Sequence, residues 1–338
     1  MDQYPTMTRI FEIGVRFWEA KVLLSALELG VFTELAKGSL DLQTLTRQLN
    51  IHPRGARDFF DALVSLQLLD RHDDTYSNVP DTDFFLDRNK PTYAAGFLEM
   101  ANMRLYSFWG SLTEGLRTGQ PQSEVGRSDT NFFDALYQNP AALRAFLQGM
   151  TENSKGGTVQ ALIEKFPWHT YKTFLDVGSS EGAYSVEIAR AHKHLTGTGF
   201  DLPPVQPLFE EYIRSFNLHD RLHFASGDFF KDSLPKADVI IMAHILHDWN
   251  LEEKQALLRK AYASLPTDGA LILCDLIIDD DRRENTLGLL MSLNMLIETS
   301  GGFDYTGADG IAWLKAAGFR HAYVEHLVGP DSIVVGIK

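Results

Sequence analysis

FLDVGSSEG, residues 174–182, is the stretch of sequence that decides the fold of this 338-residue chain. Its apolar first half, Phe174–Val177, predicts a buried strand, and the residues after it, Tyr184–Ala191, predict a helix. Gly178 and Gly182 let the backbone between them turn sharply and approach a ligand closely. Because the helix that follows points its free N–H groups and the positive end of its dipole at this turn, the stretch predicts a cofactor-binding site.

The spacing of the glycines indicates which kind of cofactor the turn would bind. A dinucleotide-binding turn has the pattern G-x-G-x-x-G, but the three glycine places here hold Gly178, Ser180 and Ala183. The spacing therefore weakens the case for a nicotinamide cofactor. The next predicted strand, Leu195–Asp201, ends in a carboxylate where a ribose would offer its two hydroxyls. Two interpretations therefore stay open. Either the turn binds a nucleoside-containing cofactor, or the chain forms a doubly wound sheet with no ligand at this turn.

The composition limits the classes of partner. The chain has a formal net charge of −14 and is 44% hydrophobic and 22% charged, an ordinary globular composition. Its acidity disfavours a nucleic acid or an anionic membrane as partner, because both attract positive surfaces. The sequence contains no apolar run of about 18 residues, so it predicts no membrane span. We expect a cytoplasmic protein. The single Cys274 excludes an internal disulfide, and the eleven histidines show no metal-ligand spacing, so no metal is predicted.

The N-terminal part predicts a dimerisation module. Apolar residues at helical spacing predict two helices within Ile10–Leu35, the second ending at Gly30, and indicate burial against a second copy of the chain. Two short helices, Leu42–Leu49 and Pro53–Gln67, and a hairpin follow, as in a winged helix. Residues 1–90 contain ten Lys or Arg and fourteen Asp or Glu. This acidic balance favours a dimer contact over DNA binding.

From Thr173 onward, predicted strands alternate with helices, which is typical of a parallel sheet covered by helices on both faces. The last two apolar runs, His321–Val328 and Ser332–Ile337, flank a three-residue turn and must therefore be antiparallel. We predict an α/β fold with a mixed sheet and an antiparallel C-terminal hairpin, preceded by a mostly helical domain. The predicted strands before the hairpin are Phe174–Val177, Leu195–Asp201, Leu222–Ser226, Val239–Ala243 and Leu271–Ile277.

The residues just after each strand are the site candidates, because ligands bind beyond the carboxyl ends of the strands in sheets of this kind. Asp201 and Leu202 follow the second strand. Asp228 and Phe229 follow the third, where they would offer an adenine a hydrogen-bond acceptor and an apolar face.

The loop after the fourth strand, HILHDWN, carries the predicted catalytic base. Asn250 and Glu253 predict a helix cap that holds His247 in the loop at the cofactor crevice. Histidine titrates near neutral pH, and a phenol with a pKa of about 10 becomes a good nucleophile only when a base removes its proton. We predict His247 as this base, with His244 as the alternative. The carboxylates predicted to orient the imidazole are Asp275 and Asp304.

The segment from Phe97 to Asn153 is rich in methionine and aromatic residues, among them Trp109 and Met150. Such residues usually form a core, but flexible thioethers and flat rings also suit a pocket for a planar apolar molecule. The segment leads directly into the cofactor domain, and the two interpretations are equally supported.

The motifs DVGSSEG, GFDLPPV, GDFF, HILHDW and GGFDYTGAD follow one another in an order and spacing that resembles the acetylserotonin/caffeate-type O-methyltransferases. The resemblance covers nearly the whole chain. It implies S-adenosylmethionine (SAM) as cofactor, a Rossmann-like class I methyltransferase sheet, a small aromatic acceptor and a homodimer. It also implies a winged-helix dimerisation domain over residues 1–95, a helical linker over 96–157 and a SAM-binding domain over 158–338.

The resemblance implies roles for individual residues. His247 would be the general base, and Asp275 and Asp304 stand where relatives carry supporting glutamates. The residues around SAM would be Asp176, Gly178, Ser179, Gly182, Asp201, Leu202, Asp228 and Phe229. The acceptor pocket would be lined by Trp109, Met150, Asn153, Met291, Asn294 and Met295.

Several positions depart from the family pattern. Ser179 and Ser180 interrupt the glycine run, with Glu181 beside them, and Ala243 stands where many plant relatives have a lysine. Family members that bind SAM but catalyse another reaction exist, so fold and cofactor alone do not prove methyl transfer. The sequence favours an O-methyltransferase acting on a phenolic secondary metabolite. The alternatives are a non-methylating SAM enzyme and a winged-helix regulator that senses a small molecule, and the methylated atom, oxygen, nitrogen or carbon, stays open.

Overall fold

A computed structural model describes residues 6–124, 136–137, 140–154 and 157–338, apart from a few side chains in the helix Pro140–Ser154. The chain forms two compact units, Met1–Tyr106 and Ser107–Lys338. The domain boundaries predicted at residues 95 and 157 stay predictions. Among the described residues, no helix combines the length and the apolar character needed to cross a membrane.

The first unit is mostly helical. Three short strands, β1 (Leu40–Asp41), β2 (Leu69–His72) and β3 (Thr75–Asn78), form an antiparallel sheet in the order β1-β3-β2. The two short helices and the hairpin follow one another in the predicted order, and the winged-helix interpretation stays a prediction. The helices are α1 (Thr8–Leu29), α2 (Val31–Leu35), α3 (Leu42–Gln48), α4 (Pro53–Ser65), α5 (Pro80–Phe85) and α6 (Gly96–Met100), with a π-helical turn over Ala101–Leu105.

Helix α1 is one continuous helix of 22 residues, so the prediction of two helices before Gly30 is wrong. The residues between the two predicted helices, 18–21, include no glycine or proline that would interrupt the hydrogen bonds of the helix. The predicted end is confirmed. Gly30 adopts a left-handed φ of 74°, and its N–H donates to the carbonyl oxygens of Ala26 and Leu27.

The N-terminal half of α1 is apolar but exposed. The buried residues of this helix, Leu24, Ala26 and Leu27, lie near its C-terminal end. Phe11 is 62% exposed and Trp18 is 58% exposed. Since full burial of a large apolar side chain stabilises by roughly 1.5–3 kcal/mol, this face favours association with another surface.

The second unit contains a seven-stranded sheet with helices around it. The strands are β4 (Thr173–Val177), β5 (Thr196–Asp201), β6 (Leu222–Ser226), β7 (Val239–Ala243), β8 (Ala270–Asp275), β9 (His321–Val328) and β10 (Asp331–Ile337). After α7 (Tyr106–Trp109), the helices are α8 (Leu112–Thr118), α9 (Pro140–Ser154), α10 (Thr158–Lys165), α11 (Ala183–Ala191), α12 (Gln206–Ser215), α13 (Leu251–Ser264), α14 (Thr286–Glu298) and α15 (Gly307–Ala317). Among the described residues, 3-10 turns cover Trp168–Thr170, Pro203–Val205 and Leu246–Asp248.

The strand order is β6-β5-β4-β7-β8-β10-β9. Strands β4 to β8 pair with one another in parallel. Strand β10 is antiparallel to both β8 and β9, which confirms the predicted closing hairpin. The predicted fifth strand is wrong at its end, because β8 stops at Asp275 and not at Ile277. The strand order reverses between β4 and β7, so the carboxyl edge of the sheet there forms the crevice where ligands bind in such folds.

Two glycines inside β5 make room for aromatic rings. A Cβ atom at Gly197 would lie 2.1 Å from Cζ of Phe174, and one at Gly199 would lie 2.4 Å from Cε2 of Phe209. Glycine inside a strand normally weakens it, but here the rings of β4 and α12 pack into the space that the missing side chains leave. Helix α12 can therefore lie close against the sheet beside the end of β5.

We expect the exposed apolar face of α1 to hold two chains together. Replacing both Phe11 and Trp18 by Asp should convert a dimer into a 38.0 kDa monomer, because two charges would have to be buried in the contact. Light scattering after gel filtration measures the molar mass. The matched control is Leu116→Asp, a residue that is 60% exposed on α8 and should leave the dimer intact. A monomeric wild-type protein, or a double variant that stays dimeric, would remove α1 from the interface.

Candidate active site

The turn after β4 has the backbone conformation that its glycines favour. The φ angle is 70° at Gly178 and 94° at Gly182, both in the left-handed region. A Cβ atom at Gly178 would lie 2.2 Å from Cδ1 of Ile245, so even alanine would clash there. The turn ends at the first residue of α11. It therefore offers a ligand close approach to the backbone and the N-terminus of a helix.

Asp201, at the end of β5, is buried and held by three donors. Its carboxylate accepts hydrogen bonds from the N–H of Ser180 at 3.0 Å, the N–H of Leu202 at 2.8 Å and the hydroxyl of Tyr137 at 3.2 Å. Burial nevertheless raises the pKa of Asp201 to about 6. A buried carboxylate at this edge suits a ligand that brings further hydrogen-bond donors. From the sequence, Tyr137 was only one of the aromatic residues of the segment from Phe97 to Asn153, because no local pattern connects it to Asp201.

The first strand and the turn add further polar groups. Asp176 accepts a hydrogen bond from the hydroxyl of Ser185 on α11 at 2.8 Å, and burial raises its pKa to about 6. The hydroxyl oxygens of Ser179 and Ser180 are buried and have no hydrogen-bond partner within the described part of the chain. Buried polar groups without a partner are rare in proteins and point to a ligand or water. The two serines that interrupt the glycine run thus place unsatisfied hydroxyls in the turn.

Asp228 and Phe229 lie in the turn after β6. The carboxylate of Asp228 accepts a hydrogen bond from the N–H of Phe230 at 2.9 Å and pairs with Lys231 at 2.8 Å. The ring of Phe229 packs edge-on against Phe230 and Trp249, with centroid separations of 4.9 and 5.7 Å. This aromatic cluster joins the turn after β6 to the loop after β7.

The loop after β7 holds His247 in a buried position. Asn250 and Glu253 form the reciprocal hydrogen bonds of a capping box, which confirms the predicted start of α13. His247 lies in the 3-10 turn just before it, and its carbonyl oxygen accepts a hydrogen bond from the N–H of Phe303 at 2.8 Å. The loop is therefore fixed by the helix on one side and by the segment around Phe303 on the other.

The imidazole of His247 contacts one of the two carboxylates predicted to orient it. Nδ1 lies 3.1 Å from Oδ1 of Asp304, which is 2% exposed. When Nδ1 carries the hydrogen, this contact leaves Nε2 free to act as an acceptor. Nε2 lies 3.6 Å from Oδ1 of Asp248, a carboxylate that the sequence did not single out.

Asp275 influences His247 by its charge and not by a hydrogen bond. Its Oδ2 accepts from the hydroxyl of Tyr305 at 2.7 Å, and its Oδ1 has no hydrogen-bond partner within the described residues. Asp275 and His247 are both described, and no hydrogen bond connects them. Burial raises the pKa of Asp275 to about 7. The expectation that both carboxylates hold the imidazole directly therefore fits Asp304 and not Asp275.

The charges around His247 favour its protonated form. Burial alone would lower its pKa, but the carboxylates of Asp248, Asp304 and Asp275 outweigh burial and raise the pKa to about 10. The neutral imidazole is consequently a stronger base than an ordinary histidine. A positive charge bound close by would oppose the carboxylates and ease loss of the proton.

His244, the alternative base, lies in a different environment. Burial and the neighbouring His247 lower its pKa to about 3, so it is neutral at pH 7. One donor atom each from His244, His247 and Asp275 lies within 4.8 Å of the others. Imidazole nitrogens and carboxylate oxygens are metal ligands, so these residues could hold a metal ion. The sequence predicted no metal-ligand cluster, because the third ligand comes from the end of the neighbouring strand.

Lys254 on α13 is a buried cation that the sequence did not indicate. Its side chain is fully buried, and Nζ donates to the carbonyl oxygen of Trp249 and lies 3.7 Å from the centroid of the Phe303 ring. Burial lowers its pKa to about 8, although the nearby carboxylates favour its charged form. Lys254 thus connects the loop after β7 to the segment that contains Asp304 and adds positive charge to an acidic cluster.

Helix α14 carries three of the residues predicted to bind an acceptor, Met291, Asn294 and Met295. The indole N–H of Trp109 donates to Oδ1 of Asn294 at 2.9 Å, and Asn294 and Met295 are buried. The hydroxyl oxygen of Ser292 accepts a hydrogen bond from the N–H of Asp304 at 3.1 Å. The helix that carries Asn294 is therefore connected directly to the partner of His247.

For the remaining predicted acceptor residues, the structure gives no more than the degree of burial. Met291 on α14 and Met150 on α9 are half-buried. The side chain of Asn153 lies outside the part of the chain that the structure describes.

Two protein-family models match this chain. The model described as an O-methyltransferase domain matches residues 109–320, which fall in the second unit. The model described as an O-methyltransferase dimerisation domain matches residues 12–88, which fall in the first unit.

Three curated bacterial methyltransferases are similar along almost their whole length. The chain is 43% identical to the tetracenomycin polyketide synthesis 8-O-methyltransferase TcmO of Streptomyces glaucescens, over 97% of this chain and 96% of that protein. It is 32% identical to the N,N-dimethyltransferase OxyT of Streptomyces rimosus, over 97% and 96%. It is 31% identical to the 3-hydroxy-5-methyl-1-naphthoate 3-O-methyltransferase of Streptomyces sahachiroi, over 98% and 95%.

A solved structure has the same architecture. Human N-acetylserotonin methyltransferase in complex with SAM matches with a TM-score of 0.89 and 28% sequence identity, covering 100% of this chain and 99% of that chain.

Proposed function

We propose a reaction for this chain, which belongs to the O-methyltransferase family and is a SAM-dependent methyltransferase. It methylates a hydroxyl of a small aromatic acceptor, and His247 is the general base. The observation that carries the proposal is the contact between Nδ1 of His247 and Asp304 in a buried loop at the carboxyl edge of the sheet.

The strand ends of the second unit suit SAM. Asp201 is a buried carboxylate placed where it would accept hydrogen bonds from the ribose hydroxyls, and the left-handed glycines Gly178 and Gly182 would admit the amino-acid part against the backbone. The hydroxyls of Ser179 and Ser180, which find no hydrogen-bond partner among the described residues, would bond to its polar groups. The other residues that we assign to this site are Asp176, Leu202, Asp228 and Phe229.

His247 would act on the acceptor. SAM supplies an electrophilic methyl group and a positive charge on sulfur. This charge would counteract the surrounding carboxylates, which stabilise the protonated form of His247. The neutral Nε2 would then accept the proton of the acceptor hydroxyl, while Asp304 keeps the hydrogen on Nδ1 and stabilises the imidazolium that forms. The carboxylates make the neutral His247 a stronger base than an ordinary histidine, which favours its accepting the proton of a phenol.

Side chains of α7 and α14 support an aromatic acceptor. Trp109 offers a flat apolar face, Met295 an adaptable thioether and Asn294 a polar group. The naphthoate methyltransferase to which the chain is similar acts on a hydroxyl of a naphthoate. We therefore assign Trp109, Asn294 and Met295 to the acceptor pocket, with Met150, Asn153 and Met291 as further candidates.

We also propose that the enzyme is a homodimer. The match of residues 12–88 to a dimerisation domain and the exposed apolar residues of α1 support this assembly.

A second candidate function is transfer to nitrogen, which the similarity to OxyT favours. The experiment that separates the two uses SAM with a hydroxynaphthoate or with the aminonaphthoate of the same shape, and detects the product by a mass gain of one methyl group. Methylation of the hydroxyl compound alone supports transfer to oxygen. Methylation of the amine alone would contradict it.

Asp201→Ala should weaken SAM binding by about 1.5–3 kcal/mol, the usual effect of losing hydrogen bonds to a charged group. Isothermal titration calorimetry with SAM measures the affinity. The matched control is Asp220→Ala, which removes an exposed carboxylate of the same unit and should leave the affinity unchanged. Equal affinity of wild type and Asp201→Ala would remove Asp201 from the site.

His247→Ala should lower kcat by roughly 10²–10⁴ while SAM affinity stays within a few-fold, because only the proton acceptor is lost. Its residual rate should rise with pH, since above a pKa near 10 the phenol is already ionised. His244→Asn should lower kcat much less. Asparagine is the replacement because it tolerates the left-handed φ of 54° at this position. Near-normal turnover of His247→Ala at pH 7 would show that His247 is not the base.

A further inference from the structure

We propose that His244, His247 and Asp275 form a binding site for a divalent transition-metal ion such as Zn²⁺, and that the bound ion blocks proton transfer. The metal site rests on the three side chains and their surroundings and does not depend on the function proposed above. The inhibition rests on the function proposed above, because it requires His247 to be the proton acceptor.

The three side chains converge from two neighbouring strand ends. His244 and His247 follow β7, and Asp275 is the last residue of β8, which pairs with β7 in parallel. One donor atom from each lies within 4.8 Å of the other two. Ligands bound to Zn²⁺ at about 2.0–2.2 Å in a tetrahedral site lie about 3.4 Å apart, so each pair of donor atoms has to approach by at most about 1.4 Å to close the site.

Two neighbouring side chains direct the donor atoms. The contact of Asp304 with Nδ1 of His247 leaves Nε2 as the free nitrogen, and a carboxylate on the far side of a histidine is the usual support of a metal-binding imidazole. The hydroxyl of Tyr305 bonds to Oδ2 of Asp275 and so fixes the orientation of that carboxylate.

An independent observation points to a ligand at this place. Asp275 is fully buried, yet its Oδ1 has no hydrogen-bond partner among the described residues. A buried carboxylate oxygen without a partner is costly, and a cation bound to it would remove that cost.

The donor set and the charge around it select the class of ion. Two imidazole nitrogens and one carboxylate oxygen suit Zn²⁺, Ni²⁺ or Cu²⁺, whereas Mg²⁺ and Ca²⁺ require mostly oxygen ligands. Asp248 and Asp304 act electrostatically on His247, Lys254 and Glu298 act on Asp248, and Glu253 acts on Lys254. The carboxylates outnumber the lysine, so a divalent cation would be stabilised there.

Metal binding and proton transfer exclude each other at Nε2 of His247. A nitrogen lone pair that is coordinated to an ion cannot accept the proton of an acceptor hydroxyl. A bound ion would therefore lower kcat even when SAM and acceptor are saturating.

The test is a calorimetric titration of the metal-free full-length protein with ZnCl₂, together with the visible absorption of the Co²⁺ complex. We expect one ion per chain, and an affinity at least tenfold lower in His244→Asn and in Asp275→Asn. His194→Ala is the matched control, because His192 and His194 also have ring centroids 6.0 Å apart, as His244 and His247 do. Its affinity should equal that of wild type.

Several outcomes would overturn the site. They are the absence of Zn²⁺ binding, unchanged affinity in both His244→Asn and Asp275→Asn, or loss of binding in His194→Ala. Circular dichroism of each variant checks its fold, and the two ligand variants test the site independently of each other.

A turnover assay with added Zn²⁺ tests the inhibition separately. We expect kcat of wild type to fall as the measured site fills, and His244→Asn to need at least tenfold more Zn²⁺ for the same loss. If Zn²⁺ fills the site without affecting kcat, the metal site stands, but the inhibition is refuted and His247 is not the proton acceptor.

Discussion

The contact between Nδ1 of His247 and the carboxylate of Asp304 is the interaction on which the arrangement of the candidate site depends. Two distant loops must meet to form it. The capping box at Asn250 fixes one loop, and the bond from the N–H of Asp304 to Ser292 fixes the other. The N–H of Phe303 adds a backbone bond to His247. Because these hydrogen bonds are directional, and the one to the imidazole itself is buried, they give the imidazole one orientation.

These two loops and the end of β8 concentrate negative charge where water scarcely reaches. Asp248, Asp275 and Asp304 surround His247, and Lys254 is the buried lysine beside them. Buried charges are costly unless opposite charges compensate them, so both Asp275 and His247 retain protons more readily than usual. A cationic ligand, either the sulfonium of SAM or the metal ion proposed above, would supply the missing positive charge.

Local patterns in the sequence predicted much of the fold. The apolar runs located the strands of the large sheet, the short turn before β10 gave the antiparallel hairpin, and Asn250 with Glu253 gave the start of α13. Contacts between distant residues could not be predicted in this way. Tyr137 reaches Asp201 across 64 residues, and Lys254 has the sequence environment of an ordinary helical lysine. The prediction of two helices in place of α1 was wrong, because the spacing of apolar residues indicates which face of a helix is apolar but not where the helix ends.

The central claim, that His247 removes the acceptor proton, is tested most directly by the rate of methyl transfer to a series of phenols at pH 7. Their pKa values should span about 7 to 10, and single-turnover conditions with saturating SAM isolate the chemical step. Wild-type rates should vary little along the series. For His247→Ala, each unit of lower phenol pKa should raise the rate by up to about tenfold, because more of the phenol is already ionised. The same dependence on phenol pKa in both proteins would contradict the claim.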